Sequence, residues 1–176
     1  MSFIKINPFI RYAKMHTYLK FSKLNSVCYD CRLFYIGHGN GSIIINGKSY
    51  LLSGNETIYL PPKTRYRFVF DNVKQVSIFV LNFDLVDSYS NYKKSLTTPT
   101  EDNFDESLTL NYPLPEEFSS PIVLKNAFSA RRYIEKCVDL FLQKTPYYLE
   151  ESSSRVKLAL LEILRESKNC EYPLVQ

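Results

Sequence analysis

Histidine and glycine are both scarce in these 176 residues: two of the first and five of the second. His16 and His38 share no ligand spacing with each other or with a glutamate. A metal centre or a general-base histidine mechanism therefore has little to draw on. There is no G-x-S-x-G elbow and no phosphate-cradling glycine loop. No apolar run approaches the ~18 residues of a membrane span. The N-terminus, MSFIKINPFI, lacks the apolar segment and cleavage site of a secretory leader. The four cysteines, Cys28, Cys31, Cys137 and Cys170, demand no oxidising compartment, so the chain reads as cytoplasmic. Cys28 and Cys31 have C-x-x-C spacing, but they lead into a strand and no second pair completes a zinc set. Buried or edge thiols are expected, with no metal and no other cofactor.

What is present is an ordinary globular composition: 45% hydrophobic and 23% charged residues, enough for one domain with a core. The net charge of +4 is uneven. Residues 1–86 hold eleven Lys and Arg against four Asp and Glu, a net +7; residues 87–176 hold eleven against fourteen, a net −3. The basic first half suits an anionic ligand or simply a solvated surface. No basic helix or aromatic–basic RNA signature accompanies it.

All five glycines lie between Gly37 and Gly54. Asn46-Gly47 sits between two apolar runs and signals a type I′ hairpin, which needs positive φ at both central residues. FIRYAKMHTYL, CRLFYI, SIIIN, KSYLL, TIYL, RYRFVF and QVSIFVLNF are short and rich in β-branched and aromatic residues. Residues 9–86 thus read as at least seven antiparallel strands of a sandwich or barrel. In RYRFVF the alternation puts Tyr66, Phe68 and Phe70 on one face and Arg65 and Arg67 on the other. The aromatics either fill the barrel or line a pocket, and Tyr66 must place its hydroxyl somewhere polar. The carboxylates Asp30, Glu56, Asp71 and Asp84 read as turn or strand-end groups.

From Asp87 to Pro121 the chain is polar and acidic. It is expected to wrap the barrel, with a short strand at SLTL. Then the period changes to that of helices. Ile134, Cys137, Val138, Phe141 and Leu142 share one face of a first helix. Thr145 and Pro146 are placed to cap and start a second. There Val156, Ala159, Leu160, Ile163 and Leu164 form a core stripe, and Leu158 and Leu161 a second, narrower one. The tail, CEYPLVQ, carries no closing element and reads as passing into a linker.

The succession GNG, IIINGKSYLL, SGNETIYLPP, TRYRF and VLNFD resembles the N-terminal regulatory domain of AraC/XylS-type transcription regulators. The double proline Pro61-Pro62, followed by an aromatic, is its most recognisable element. The resemblance covers Pro8 to Asp84 well and Phe128 to Arg165 more loosely. It implies a mainly β fold: a cupin-like double-stranded β-helix (jelly-roll) barrel followed by an α-helical hairpin. It also implies a small effector in the barrel, often a sugar, a homodimer through the helices, and DNA binding only through a C-terminal helix-turn-helix domain that this chain does not contain. The chain departs from the family in having Tyr66 where a histidine often follows the double proline.

The resulting expectations are a barrel with arm and wrapping loop over 1–121 and a dimerising helical segment over 122–176. Arg11, Tyr12, His16, Tyr66, Phe68, Ile78 and Val80 are the expected effector contacts, with Arg11 offering its planar fork to a hydroxyl or carboxylate. Leu158, Leu161 and Arg165 are expected at the dimer interface. The function expected is effector sensing, with a carbohydrate as ligand, no membrane partner and no catalysis. The alternative is a stand-alone cupin sugar isomerase or epimerase.

Overall fold

A computed structural model describes residues 2–18, 21–22, 25–70, 75–91 and 98–171. Among the described residues ten strands and two α-helices make up the frame. The strands are β1 (Phe9–Tyr18), β2 (Phe21–Ser22), β3 (Ser26–Val27), β4 (Cys31–His38), β5 (Gly41–Ile45), β6 (Lys48–Leu52), β7 (Thr57–Leu60), β8 (Arg65–Phe70), β9 (Val76–Asp84) and β10 (Ile122–Leu124). The helices are α1 (Phe128–Gln143) and α2 (Tyr148–Glu171). One antiparallel sheet has the order β1-β9-β4-β7-β10, the other β2-β8-β5-β6, with β3 also on β8. The fold is mainly antiparallel β with two C-terminal helices, a cupin-like double-stranded β-helix.

Strand β4, central in the first sheet, is buried on both faces from Cys31 to Ile36, which explains why it is apolar apart from Arg32. Phe34 and Ile36 face Ile43, Ile45, Phe68 and Phe70 of the second sheet, inside the barrel. Cys31, Leu33 and Tyr35 face the helices and join Ile134, Cys137, Val156, Leu160 and Ile163 in a second core. Each such leucine, isoleucine or phenylalanine contributes ~1.5–3 kcal/mol by leaving water.

The expected hairpin is present: Asn46 has φ 47° and Gly47 φ 84°. Gly41 is needed for a different reason. A Cβ there would meet the Phe70 ring at 2.3 Å and the Val69 carbonyl at 2.5 Å. Tyr66, Phe68 and Phe70 point inward, as their alternation required.

Three expectations need correction. SLTL forms no strand: Glu106–Leu108 is a single 3-10 turn, held by the Asp105 carboxylate accepting from Ser107 N. The strand of this region is instead β10, paired antiparallel with β7. The second helix starts at Tyr148 rather than at Pro146, because Lys144 and Tyr147 both take left-handed φ (50° and 62°) and make the intervening residues a turn. Leu142 is 82% exposed, whereas Ala130 and Leu140 hold core positions on α1. The tail from Tyr172 lies outside the described residues.

The wrapping segment does cover one end of the barrel. Phe104 stacks on Tyr29 at 5.0 Å, Val27 N donates to Pro99 O, and Phe118 packs edge-on against Tyr59 at 5.0 Å.

Candidate ligand site in the barrel

Strand register lays out the interior face of the first sheet in rows. Tyr12 lies opposite Asn82, and Asn82 opposite Arg32. The next row runs Lys14, Val80, Phe34, Ile58, and the one after that His16, Ile78, Ile36. The interior is therefore polar at the Arg32 end and apolar further along.

Arg32 is the centre of the polar end. Its Nε lies 2.9 Å from Asp30 Oδ1, and the two side chains are 2% and 1% exposed. Asn82 is also buried, and its Oδ1 has no hydrogen-bond partner among the described residues. From the facing sheet comes Tyr66, whose phenol bonds the Thr98 side chain. Burial pushes the Tyr66 hydroxyl well up from its usual value, while the Arg32 charge pulls the other way. The same opposition holds at Cys28 and at Tyr12. One guanidinium thus acts on three surrounding groups. Burial, the largest single influence, lowers the pKa of Arg32 itself, but Asp30 together with Tyr66 and Cys28 outweighs it, so the net shift is upward.

The expected contacts divide into three sets. Tyr66, Phe68 and Ile78 come together inside the barrel, with Val80 partly buried beside them. The rings pack on one another: Phe34 meets Phe68 edge-on at 5.2 Å, and Phe68 stacks on Phe70 at 5.6 Å. Tyr12 and His16 lie on the interior face of the edge strand, joined by a 2.7 Å hydrogen bond between Tyr12 Oη and His16 Nε2. Arg11 is separate. It is the extra residue of a β-bulge between Ile10 and Tyr12. Its Nη2 lies 2.6 Å from Asp84 Oδ2 and donates to Tyr89 O at 3.1 Å. That fork is engaged in holding the end of β9, apart from the other expected contacts.

Arg32 and Asn82 were not singled out from the sequence, and Asp30 was read only as a turn or strand-end carboxylate. The available signal was a single arginine at the start of an apolar strand, CRLFYI, whose neighbours on both sides must be buried. A cation inside such a run has to be paired or functional.

The thiols are buried as expected: Cys28, Cys31 and Cys137 are free and inaccessible. The Cys170 side chain lies outside the described ones. Among the described residues no three His, Cys, Asp or Glu side chains gather as a metal-binding group. No helix among them is long and apolar enough to cross a membrane.

No family model and no curated protein matches the chain. Solved structures do. ToxT from Vibrio cholerae, an AraC-family regulator, aligns over 94% of this chain at 12% identity with a TM-score of 0.50. The chain spans 59% of ToxT's length. An RmlC-like cupin of Methanocaldococcus jannaschii aligns over 42% of this chain and 69% of its own, at 9% identity and TM-score 0.38. Salicylate 1,2-dioxygenase from Pseudoaminobacter salicylatoxidans aligns over 54% and 26%, at 14% identity and TM-score 0.43. The likeness is one of fold.

Proposed function

We propose that this chain is the effector-sensing and dimerising part of an AraC-type transcription regulator, acting in the cytoplasm and binding a small carboxylic acid in its barrel. The observation that carries the reading is Arg32: a buried guanidinium at one end of an otherwise apolar barrel. The joint alignment of barrel and helical hairpin with ToxT supports the regulator class. The ToxT structure holds (E)-4-(8-methylnaphthalen-1-yl)but-3-enoic acid, an apolar body with a carboxylate head. The present interior suits the same chemistry. A carboxylate would meet Arg32 and the Tyr66 hydroxyl, and the apolar body would lie along Phe34, Ile36, Phe68 and Ile78. A sugar fits less well, because each buried hydroxyl needs a partner and Val80, Phe34, Ile58, Ile78 and Ile36 have no polar side-chain atom to offer.

Ligand occupancy has a route to the rest of the domain. Asp84 holds Arg11, the next carbonyl (Leu85) accepts from Asn7 N, and Asn7 Oδ1 accepts from Ser153 of α2. Lys157 of α2 also donates to Ile4 O. The N-terminal arm therefore bridges the polar end of the barrel and the helix that carries Leu158 and Leu161. An effector that biases this arm between two arrangements needs only ~1–3 kcal/mol of coupling to change binding several-fold to a hundredfold.

The experiment is a thermal-shift screen of aliphatic and aryl-substituted acids, their amides, and neutral pentoses and hexoses. Acids should raise the melting temperature and the matching amides should do so less. A shift by sugars alone would replace the acid with a carbohydrate. The isomerase or epimerase alternative has one observation on its side, the Tyr12–His16 hydrogen bond, which could relay a proton. Turnover of a sugar phosphate would favour it.

A further inference from the structure

The outer face of the second sheet carries a groove of about 710 Å³ whose lining includes Lys63, Arg65 and Arg67, with Ile44, Asn46 and Glu101. Three cations therefore face one carboxylate. Lys63 and Arg65 are exposed and each is matched by the wrapping segment: Lys63 by Glu106 and Arg65 by Glu101. Arg67 differs. It sits on the central strand β8 opposite Ile44, is half-buried, and its Nε is shut off from solvent without a hydrogen-bond partner among the described residues. A desolvated guanidinium with an unmatched donor is unfavourable, and an oxyanion on the part of Arg67 that lines the groove offsets its charge.

We infer that this groove is a second ligand site, for a small molecule bearing a phosphate or pyrophosphate group. A phosphate offers several acceptor oxygens and close to two negative charges, which match the planar fork of Arg67 together with one neighbouring cation. A single carboxylate would neutralise Arg67 but has too few acceptor oxygens to engage its fork and a neighbouring cation together. A nucleic-acid strand is disfavoured because Tyr66, the aromatic of the lining, is buried and offers no stacking face. Glu101 and Glu106 act as internal competitors. Exposed ion pairs of this kind are weak and screened by salt, so a dianion can displace them. Displacement would loosen the wrapping segment where it covers the barrel, at Thr98 and Tyr66. The inference is independent of what the barrel itself binds.

Calorimetric titration of inorganic pyrophosphate into the wild type and three variants tests it. Arg67→Met should weaken binding by about ten- to a hundredfold. Glu101→Gln should tighten it, because a competitor is removed; this exposed change also keeps the test informative if Arg67→Met fails to fold. Lys125→Met, outside the groove, should leave it unchanged. Rising ionic strength should weaken wild-type binding. Absence of pyrophosphate binding, equal binding by wild type and a folded Arg67→Met, unaltered binding by Glu101→Gln, or binding of a single-stranded oligonucleotide in place of pyrophosphate would each overturn the inference.

Discussion

Arg32 and Asp30 place a guanidinium nitrogen and a carboxylate oxygen 2.9 Å apart inside the barrel, with both side chains all but excluded from solvent. Removing one partner strands the other charge in a poorly polarisable interior. Asp30→Ala should cost ~3–5 kcal/mol, whereas replacing both residues by leucine should be close to neutral. Urea unfolding of the two variants checks this. A mild effect of Asp30→Ala would mean that water reaches Arg32.

Glu56 has a different structural task. Its carboxylate is 1% exposed and accepts from Ser53 N at 2.9 Å, Ser53 Oγ at 3.1 Å and Gly54 N at 3.0 Å. It closes the turn between β6 and β7. Glu56→Ala leaves two backbone donors without their acceptor and should cost about 2–3 kcal/mol. The melting temperature should fall by ~2–4 °C per kcal/mol at this chain length.

The buried thiols give a pH signature. Burial pushes Cys31 and Cys137 up from the ordinary 9.0 to about 12. Below pH 9 both folded and unfolded thiols are protonated, and this contribution to stability is fully present. Above pH 9 the unfolded thiols ionise while the native ones stay neutral, so stability falls by up to ~1.4 kcal/mol per pH unit per thiol until about pH 12. In a Cys170→Ser background, native protein at pH 8 should resist iodoacetamide, and reactivity should appear with unfolding. Rapid labelling of the folded protein would contradict the burial.

The dimer reading rests on α2. Val156, Ala159, Leu160 and Ile163 are fully buried against the barrel, while Leu158 is 39% exposed and Leu161 half-buried on another face. Arg165, exposed on the same helix, pairs with Glu162. Covering two leucines per protomer across a two-fold axis supplies ~1.5–3 kcal/mol for each that is fully buried. Leu158→Glu with Leu161→Lys should give a folded monomer by light scattering. An unchanged dimer would move the interface elsewhere.

Local signals made much of this fold legible. Asn46-Gly47 fixed a hairpin because few other pairs accept two positive φ values. The alternation of RYRFVF fixed which face of β8 is buried. The core stripe of α2 followed from a 3.6-residue period. Long-range effects were not legible. Nothing local says that Ile122–Leu124 finds β7, since three apolar residues carry no register. Nor does sequence spacing reveal that Arg11 is engaged by Asp84, 73 positions away. At the polar end of the barrel Asp30 and Arg32 are two positions apart, and the arginine inside CRLFYI was a local signal; only their meeting with Asn82 depends on the pairing of β4 with β9.

The most direct measurement of the central claim is a calorimetric titration of decanoate and of decanol into the wild type and into the Asp30→Leu, Arg32→Leu double variant. Decanoate should bind the wild type and lose at least about tenfold in affinity to the double variant, as expected for loss of a charge-assisted hydrogen bond. Decanol, which has no carboxylate, should bind both about equally. If decanoate binds the folded double variant as tightly as the wild type, or binds neither, Arg32 is not the anchor of a carboxylate site.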